Sequence, residues 1–105
     1  MTALKVAIMR YVSDEPQPGI VECEFVDAHG RIWRFLEKTA IVTAAWIDSN
    51  SNYAQPGVIA VEVIARRQEP SGREIISVDM NRIDGVESID GMSSFEVSSD
   101  VLIEL

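Results

Sequence analysis

The chain has one cysteine, Cys23, and one histidine, His29, and these residue types pair as nucleophile and base in many catalytic sites. Such a pair must lie within hydrogen-bond distance, whereas about 20 Å of extended chain separates these two residues in a strand followed by a turn. Cys23 also alternates with Val21 and Phe25, which is typical of a small core residue. We therefore interpret Cys23 as part of the core and His29 as an exposed turn residue.

Carboxylate pairs and metal-ligand clusters are the other groups that carry out chemistry in proteins. Glu22 and Glu24 share one face of a predicted strand with their Cα atoms about 7 Å apart, and paired carboxylates hydrolyse glycosidic bonds. We interpret them as the polar face of an amphipathic strand. Zinc sites need about four Cys or His ligands, and the chain has neither these nor a calcium loop or a glycine-rich phosphate loop.

The sequence thus predicts no catalytic residue, no metal and no cofactor, and the chain is expected not to be an enzyme. The enzymatic alternative is a site built from His29 or carboxylates such as Glu22 and completed by a second copy of the chain.

The net charge of −8, from 9 basic and 17 acidic residues, argues against two classes of partner. Nucleic acids and anionic membranes both attract basic surfaces, so neither is expected to bind here. Residues 74–105 contain one arginine and eight acidic residues. If these residues fold as adjacent strands, they form one negative face that attracts a basic protein. The alternative is that the charge serves solubility alone.

Aromatic and acidic side chains are the candidates for contacting such a partner. Exposed aromatic residues anchor many interfaces, and acidic residues supply charge complementarity. The candidate interaction residues are Trp33, Trp46, Tyr53, Asp84, Glu87, Asp90 and Glu96. An alternative is a ligand pocket lined by Trp33, Phe35 and Trp46.

The composition indicates which elements position these residues. The chain has 12 Ile and 12 Val but only 4 Leu, and residues branched at Cβ favour strands over helices. A length of 105 residues fits one domain with a single core. We therefore predict that residues 1–105 form one compact β domain.

Alternating apolar residues predict the strands themselves. The clearest hairpin joins strands 20–26 and 31–36 through a turn at Asp27–Gly30, after a first strand at 4–12. Two further hairpins are predicted. One joins 57–66 to 73–80 through the turn 69–72, and the other joins 86–89 to 94–97 through Asp90-Gly91.

Two segments are ambiguous. Thr39–Ile47 has apolar residues at helical spacing but is rich in strand-favouring types, and we favour a strand. Val101–Leu105 is either a closing strand or a single helical turn. With a polar loop at 48–57, the pattern predicts an all-β, antiparallel barrel or sandwich of about seven or eight short strands with little helix.

The expected location is the cytoplasm. A single cysteine permits no intrachain disulfide, and the first ten residues lack the pattern of a secretory signal. The longest apolar-rich run, Thr39–Ile47, is much shorter than the roughly 20 residues that span a bilayer.

These observations favour a non-enzymatic protein-interaction module of the inhibitor or immunity type. It would bind a basic protein, or a second copy of itself, through strand edges and its negative face. The alternative function is a β-barrel that binds a small ligand in an aromatic-lined pocket.

Overall fold

Eight β-strands in two antiparallel sheets dominate the computed structural model, which describes residues 1–105. Two single-turn helices and a 3₁₀ turn at Ser99–Val101 complete the fold. In chain order the elements are β1 (Thr2–Ser13), β2 (Ile20–Val26), β3 (Ile32–Lys38), α1 (Thr39–Val42), β4 (Gln55–Ala60), β5 (Glu62–Gln68), β6 (Glu74–Asp79), α2 (Asn81–Asp84), β7 (Ser94–Ser98) and β8 (Leu102–Glu104). The predicted all-β class is confirmed, and neither sheet closes into a barrel.

The first sheet has the strand order β3-β2-β1-β4, and β8 also pairs with β1. The predicted β2–β3 hairpin is confirmed and pairs without a register shift from Ile20↔Lys38 to Val26↔Ile32. Its turn is closed by the Gly30 N–H, which donates to the Asp27 carbonyl at 3.1 Å. Gly30 has a φ of +81°, which glycine adopts without strain.

Strand β1 is the centre of this sheet. Ala3 pairs with Ala60 of β4 and with Ile103 of β8, so these two strands flank β1 on opposite edges. The alternating side chains Leu4, Val6 and Ile8 are buried in the core.

The second sheet has the order β5-β6-β7, and the predicted hairpin around residues 69–72 is confirmed. The strand predicted at 57–66 is in fact two strands. The Val61 N–H donates to the Thr2 carbonyl, and beyond it the chain leaves β1 and pairs with β6 instead. One apolar run therefore serves both sheets, because its first part, Gln55–Ala60, pairs with β1 and its second part, Glu62–Gln68, pairs with β6.

The strand favoured for residues 39–47 is wrong. Thr39–Val42 form the single turn α1, and residues 43–47 have no regular structure. Val42 and Ile47 are buried, so the apolar residues of this segment are used for packing rather than for strand pairing.

The strand predicted at 86–89 is also wrong, although the turn after it forms. The Ser88 N–H donates to the Met92 carbonyl and the Gly91 N–H donates to that of Ser88. The Ile89 N–H donates to the Arg34 carbonyl of β3. The backbone of Ser88 and Ile89 therefore forms its hydrogen bonds within the turn and with β3, and not with β7 as predicted. Residues 99–104 combine both alternatives, because the 3₁₀ turn leads directly into β8.

Phe95 of β7 connects the two sheets in the core. Its ring centroid lies 5.3 Å from that of Phe25, 4.9 Å from that of Trp33 and 5.9 Å from that of Phe35, with the rings packed edge to face. Such aromatic pairs add stability beyond the burial of their area. No helix of the structure has the length and apolar character needed to cross a bilayer.

Candidate functional site

Three surface depressions meet at Thr43 and Ala44, in the segment that follows α1. Their volumes are about 320, 200 and 300 Å³. We name the region that they form the Ala44 surface. Its other lining residues are Met1, Lys5, Val6, Pro18, Thr39, Ala40, Ile41, Val42, Ala45, Trp46, Ile47, Pro56, Gly57, Val58, Ala60, Asp84, Ile103 and Leu105.

Buried residues at both ends of the segment hold the Ala44 surface in place. Val42 and Ile47 are buried in the core. The Ala45 N–H donates to the Thr43 hydroxyl at 3.1 Å, which bends the chain between them. With both ends anchored inward, residues 44–46 are displayed to solvent.

Trp46 is the most exposed large apolar side chain in the molecule. Its exposed fraction is 78%, against 8% for Trp33, the other tryptophan. It lines the 200 Å³ depression together with Pro18, Ala40 and Ala45. A large aromatic side chain beside a depression is a common feature of interface centres.

Strand β4 adds an unpaired sheet edge to this surface. It pairs with β1 on one side only, and it contains no charged residue from Gln55 to Ala60. Alternate residues of an edge strand direct backbone N–H and C=O groups away from the sheet. Val58 lines two of the three depressions, so this edge borders the Ala44 surface directly.

Every arginine of the chain forms an ion pair. Each has a carboxylate oxygen within 4.0 Å of its guanidinium. The pairs are Arg10–Glu22, Arg31–Asp90, Arg34–Glu24, Arg66–Glu74, Arg67–Glu96, Arg73–Glu69 and Arg82–Glu62. The two lysines, Lys5 and Lys38, are in no ion pair, and Lys5 lines the 320 Å³ depression.

The single negative face expected from residues 74–105 does not form as a continuous group of strands. Strands β6 and β7 are neighbours, but β8 lies in the other sheet. Half of the eight acidic residues in this range also pair with cationic groups from elsewhere in the chain. These residues are Glu74, Asp90, Glu96 and Glu104, the last with the N-terminal amino group.

The four acidic candidate residues occupy different surroundings. Asp84 lies in α2 and lines the 300 Å³ depression, so it belongs to the Ala44 surface. Glu87 is exposed and in no ion pair. Asp90 pairs with Arg31 at 3.5 Å. Glu96 lies in the second sheet, so the structure does not bring the four together.

Glu96 ties the β2–β3 turn to the second sheet. Its Oε1 lies 2.8 Å from Nε2 of His29 and 3.3 Å from Nη2 of Arg67. These bonds hold the pKa of the Glu96 carboxyl below its ordinary value. The Ala28 N–H also donates to the Glu96 carbonyl at 2.8 Å. His29 therefore takes part in a contact between the two sheets.

The predicted aromatic candidates separate into core and surface. Trp33 and Phe35 are buried in the core, and no surface depression is lined by either. Tyr53 packs against the core, and its hydroxyl donates to the Asp48 carbonyl at 2.8 Å. Trp33, Phe35 and Trp46 thus line no common pocket.

Cys23 faces the core, as its alternation predicted, and it is fully buried. Burial, followed by the charges of Glu37 and Glu22, raises the pKa of its thiol to about 12. No group of three or more His, Cys, Asp or Glu side chains lies close enough together to hold a metal ion.

Sequence reasoning missed Ala44 and Lys5 as parts of a site. The sequence feature that could have indicated this site is the run Thr39–Ile47. It has no charged residue and is more apolar than a half-buried segment requires. Comparisons with protein-family models, with curated proteins and with solved structures gave no match to this chain.

Proposed function

We propose that the chain is a non-enzymatic protein-interaction module that binds its partner through the Ala44 surface. The observation that carries the proposal is the exposure of Trp46 at the edge of an apolar depression. A soluble protein gains nothing in its own folding from a tryptophan left in water, because the favourable term comes from burial. A partner that covers Trp46 would recover that free energy.

The uncharged edge of β4 supports the same surface. Edge strands usually carry charged residues or bulges that prevent pairing with other chains. Along β4 only Pro56 acts in this way, since it lacks an N–H. An extended segment of the partner that pairs with this edge would also contact Val58 and the depressions beside it.

The charge distribution favours a basic protein as the partner. Each arginine already has a carboxylate of the same chain within 4.0 Å, while Asp84 at the Ala44 surface is in no ion pair. With a net charge of −8 the long-range field attracts basic proteins and repels nucleic acids. An inhibitor that covers a basic enzyme or toxin has this character, and so the proposal includes the inhibitor type.

A cytoplasmic location is part of this proposal. A lone, buried cysteine suits a reducing compartment, because it needs no disulfide partner and its thiol is shielded. Cell fractionation with an antibody against the chain tests this location.

The test uses the chain as an affinity bait in a native lysate at low and high salt. Trp46→Ala should weaken binding of a specific partner at least about 30-fold, as expected for an aromatic anchor. Ile64→Ala is the matched control, because Ile64 is also a large exposed apolar residue but lies on β5. Sedimentation velocity detects a second copy as the partner.

Two outcomes would contradict the proposal. One is a partner that binds the Trp46→Ala and Ile64→Ala variants equally well. The other is an association rate that does not change with ionic strength, which would remove the electrostatic argument for a basic partner.

A further inference from the structure

The 320 Å³ depression of the Ala44 surface differs from the other two because it contains a cationic side chain. It lies over the outer face of the first sheet, where Lys5 pairs directly with Val58 of β4. The outward side chains of paired strands lie about 5 Å apart at Cβ. Ile103 of β8 and the Val42–Ala44 segment provide the remaining walls. We name this depression the Lys5 cavity.

The size and the lining of the Lys5 cavity suit a small organic ligand. Ligand-binding cavities begin at about 300 Å³ and are mainly apolar with a few polar groups. At about 30 Å³ for each water-sized group, the cavity holds about ten non-hydrogen atoms. Its exposed apolar walls are formed by Pro56, Val58 and Ile103, and Lys5 is its only charged residue.

Lys5 differs from the arginines in having no ion-pair partner. Each arginine is paired with a carboxylate, and Lys5 has no carboxylate within 4.0 Å. The charge of Lys5 also acts on Asp100, whose pKa is lowered first by its hydrogen bond to Ser98 and to a smaller extent by Lys5. A negative charge at Asp100 acts on the same lysine, and it would repel a ligand with one negative charge less than a phosphate or a dicarboxylate.

We propose that the Lys5 cavity binds a small aliphatic monocarboxylate. Its carboxylate contacts the Lys5 ammonium, and its hydrocarbon chain lies against Pro56, Val58 and Ile103. The charge of the ligand complements the one unpaired cation of the cavity, and its tail complements the apolar walls. The Lys5 cavity is part of the Ala44 surface, so this inference adds a small ligand to the surface proposed for the partner, whereas Trp46 lines a different depression of it.

The test is an NMR titration of the ¹⁵N-labelled full chain with octanoate at physiological salt, where long-range repulsion by the net charge is screened. Octanamide, which has the same shape but no charge, is the matched ligand. Octanoate should shift the amide signals around Lys5, Val58 and Ile103 saturably. Its affinity should exceed that of octanamide about tenfold, because the ion contact is lost with the amide.

Variants locate the charge contact. Lys5→Met should remove the preference for octanoate, and Lys5→Arg should keep it. Lys38→Met is the matched control, because Lys38 also lacks an ion pair but does not line the cavity. Asp100→Asn should tighten octanoate binding by removing a repulsive charge.

The proposal is overturned if octanoate and octanamide bind equally, or if Lys5→Met and Lys38→Met have the same effect. It is also overturned if the shifted signals cluster around Trp46 rather than Lys5. Because Trp46→Ala leaves the Lys5 cavity intact, its octanoate affinity should equal that of the unmodified chain, which separates this result from failure of the partner-binding proposal.

Discussion

The Asp27 carboxylate accepts a hydrogen bond of 2.8 Å from the indole nitrogen of Trp33. Its other oxygen accepts bonds from the backbone N–H groups of His29 and Arg31, at 2.8 and 3.0 Å. The Arg31 guanidinium lies 3.8 Å from the centroid of the Trp33 ring. One carboxylate therefore closes the β2–β3 turn and satisfies the polar edge of a buried tryptophan.

Replacing Asp27 with Asn should destabilise the chain by about 1–3 kcal/mol at neutral pH, because charged acceptors form the stronger hydrogen bonds. Burial raises the pKa of Asp27, but the bonds from Trp33, Arg31 and His29 outweigh this, and the net pKa is lowered. A carboxyl whose pKa is lowered by folding stabilises the folded state at pH values above the ordinary aspartate pKa. This contribution is lost as the pH falls through the lowered pKa.

The difference in the free energy of unfolding between the original chain and the Asp27→Asn variant should therefore become smaller at low pH. Urea unfolding at neutral pH and below the ordinary aspartate pKa measures this difference, with Glu87→Gln as a surface control because Glu87 is exposed and in no ion pair. A gap that is equally large at both pH values would contradict this explanation.

Truncating Phe95 to Ala should cost about 3–5 kcal/mol, because it leaves a cavity among Phe25, Phe35 and Trp33. Denaturant unfolding measures the loss. Ile89→Ala, at an exposed apolar residue, should change stability by no more than about 0.5 kcal/mol. Should Phe95→Leu be as unstable as Phe95→Ala, the loss would not come from the cavity.

Substituting Ala for Gly19 should destabilise the fold more than the same change at Gly72. Both glycines have positive φ, +128° and +90°, so both variants are strained by about 1 kcal/mol or more. A Cβ at Gly19 would also overlap the Tyr11 ring, whereas the space around Gly72 is open. Thermal unfolding of the two variants compares them.

A double variant checks the cause. If the Tyr11 ring causes the extra loss, Gly19→Ala should be less harmful in a Tyr11→Ala background. Equal effects of Gly19→Ala in both backgrounds would show that backbone strain alone is responsible.

The Cys23 thiol should not react with Ellman's reagent in the folded chain at mildly alkaline pH. Its pKa of about 12 keeps it protonated, and its burial excludes the reagent. The reaction should become fast in denaturing urea. An added exposed thiol, Ala45→Cys, is the positive control, and rapid native labelling of Cys23 would show that the core opens there.

Much of the fold was predictable because its patterns are local. The alternation of Val21, Cys23 and Phe25 and the turn at Asp27–Gly30 identify the β2–β3 hairpin from neighbouring residues alone. The hairpin around Glu69–Gly72 follows in the same way. In both, the partner strand is the next one along the chain, so pairing requires only a short loop to close.

The candidate site was predictable only in part. Trp46 was identified from its residue type, but its sequence does not distinguish it from Trp33, which is buried. Burial depends on which elements cover a side chain, and these are distant in sequence. The same holds for Lys5, because it lines a depression only through the pairing of β4 and β8 on either side of β1.

The sequence by itself determined the β class, the two local hairpins, the core role of Cys23 and the overall negative charge, because each depends on composition or on adjacent residues. Tertiary structure alone decided where the chain changes sheets at Val61, how residues 39–47 run, and which carboxylates the arginines neutralise. Those outcomes depend on contacts between residues that are distant in sequence. An apolar run or an acidic residue has several possible partners, and the packing of the whole fold determines which one it contacts.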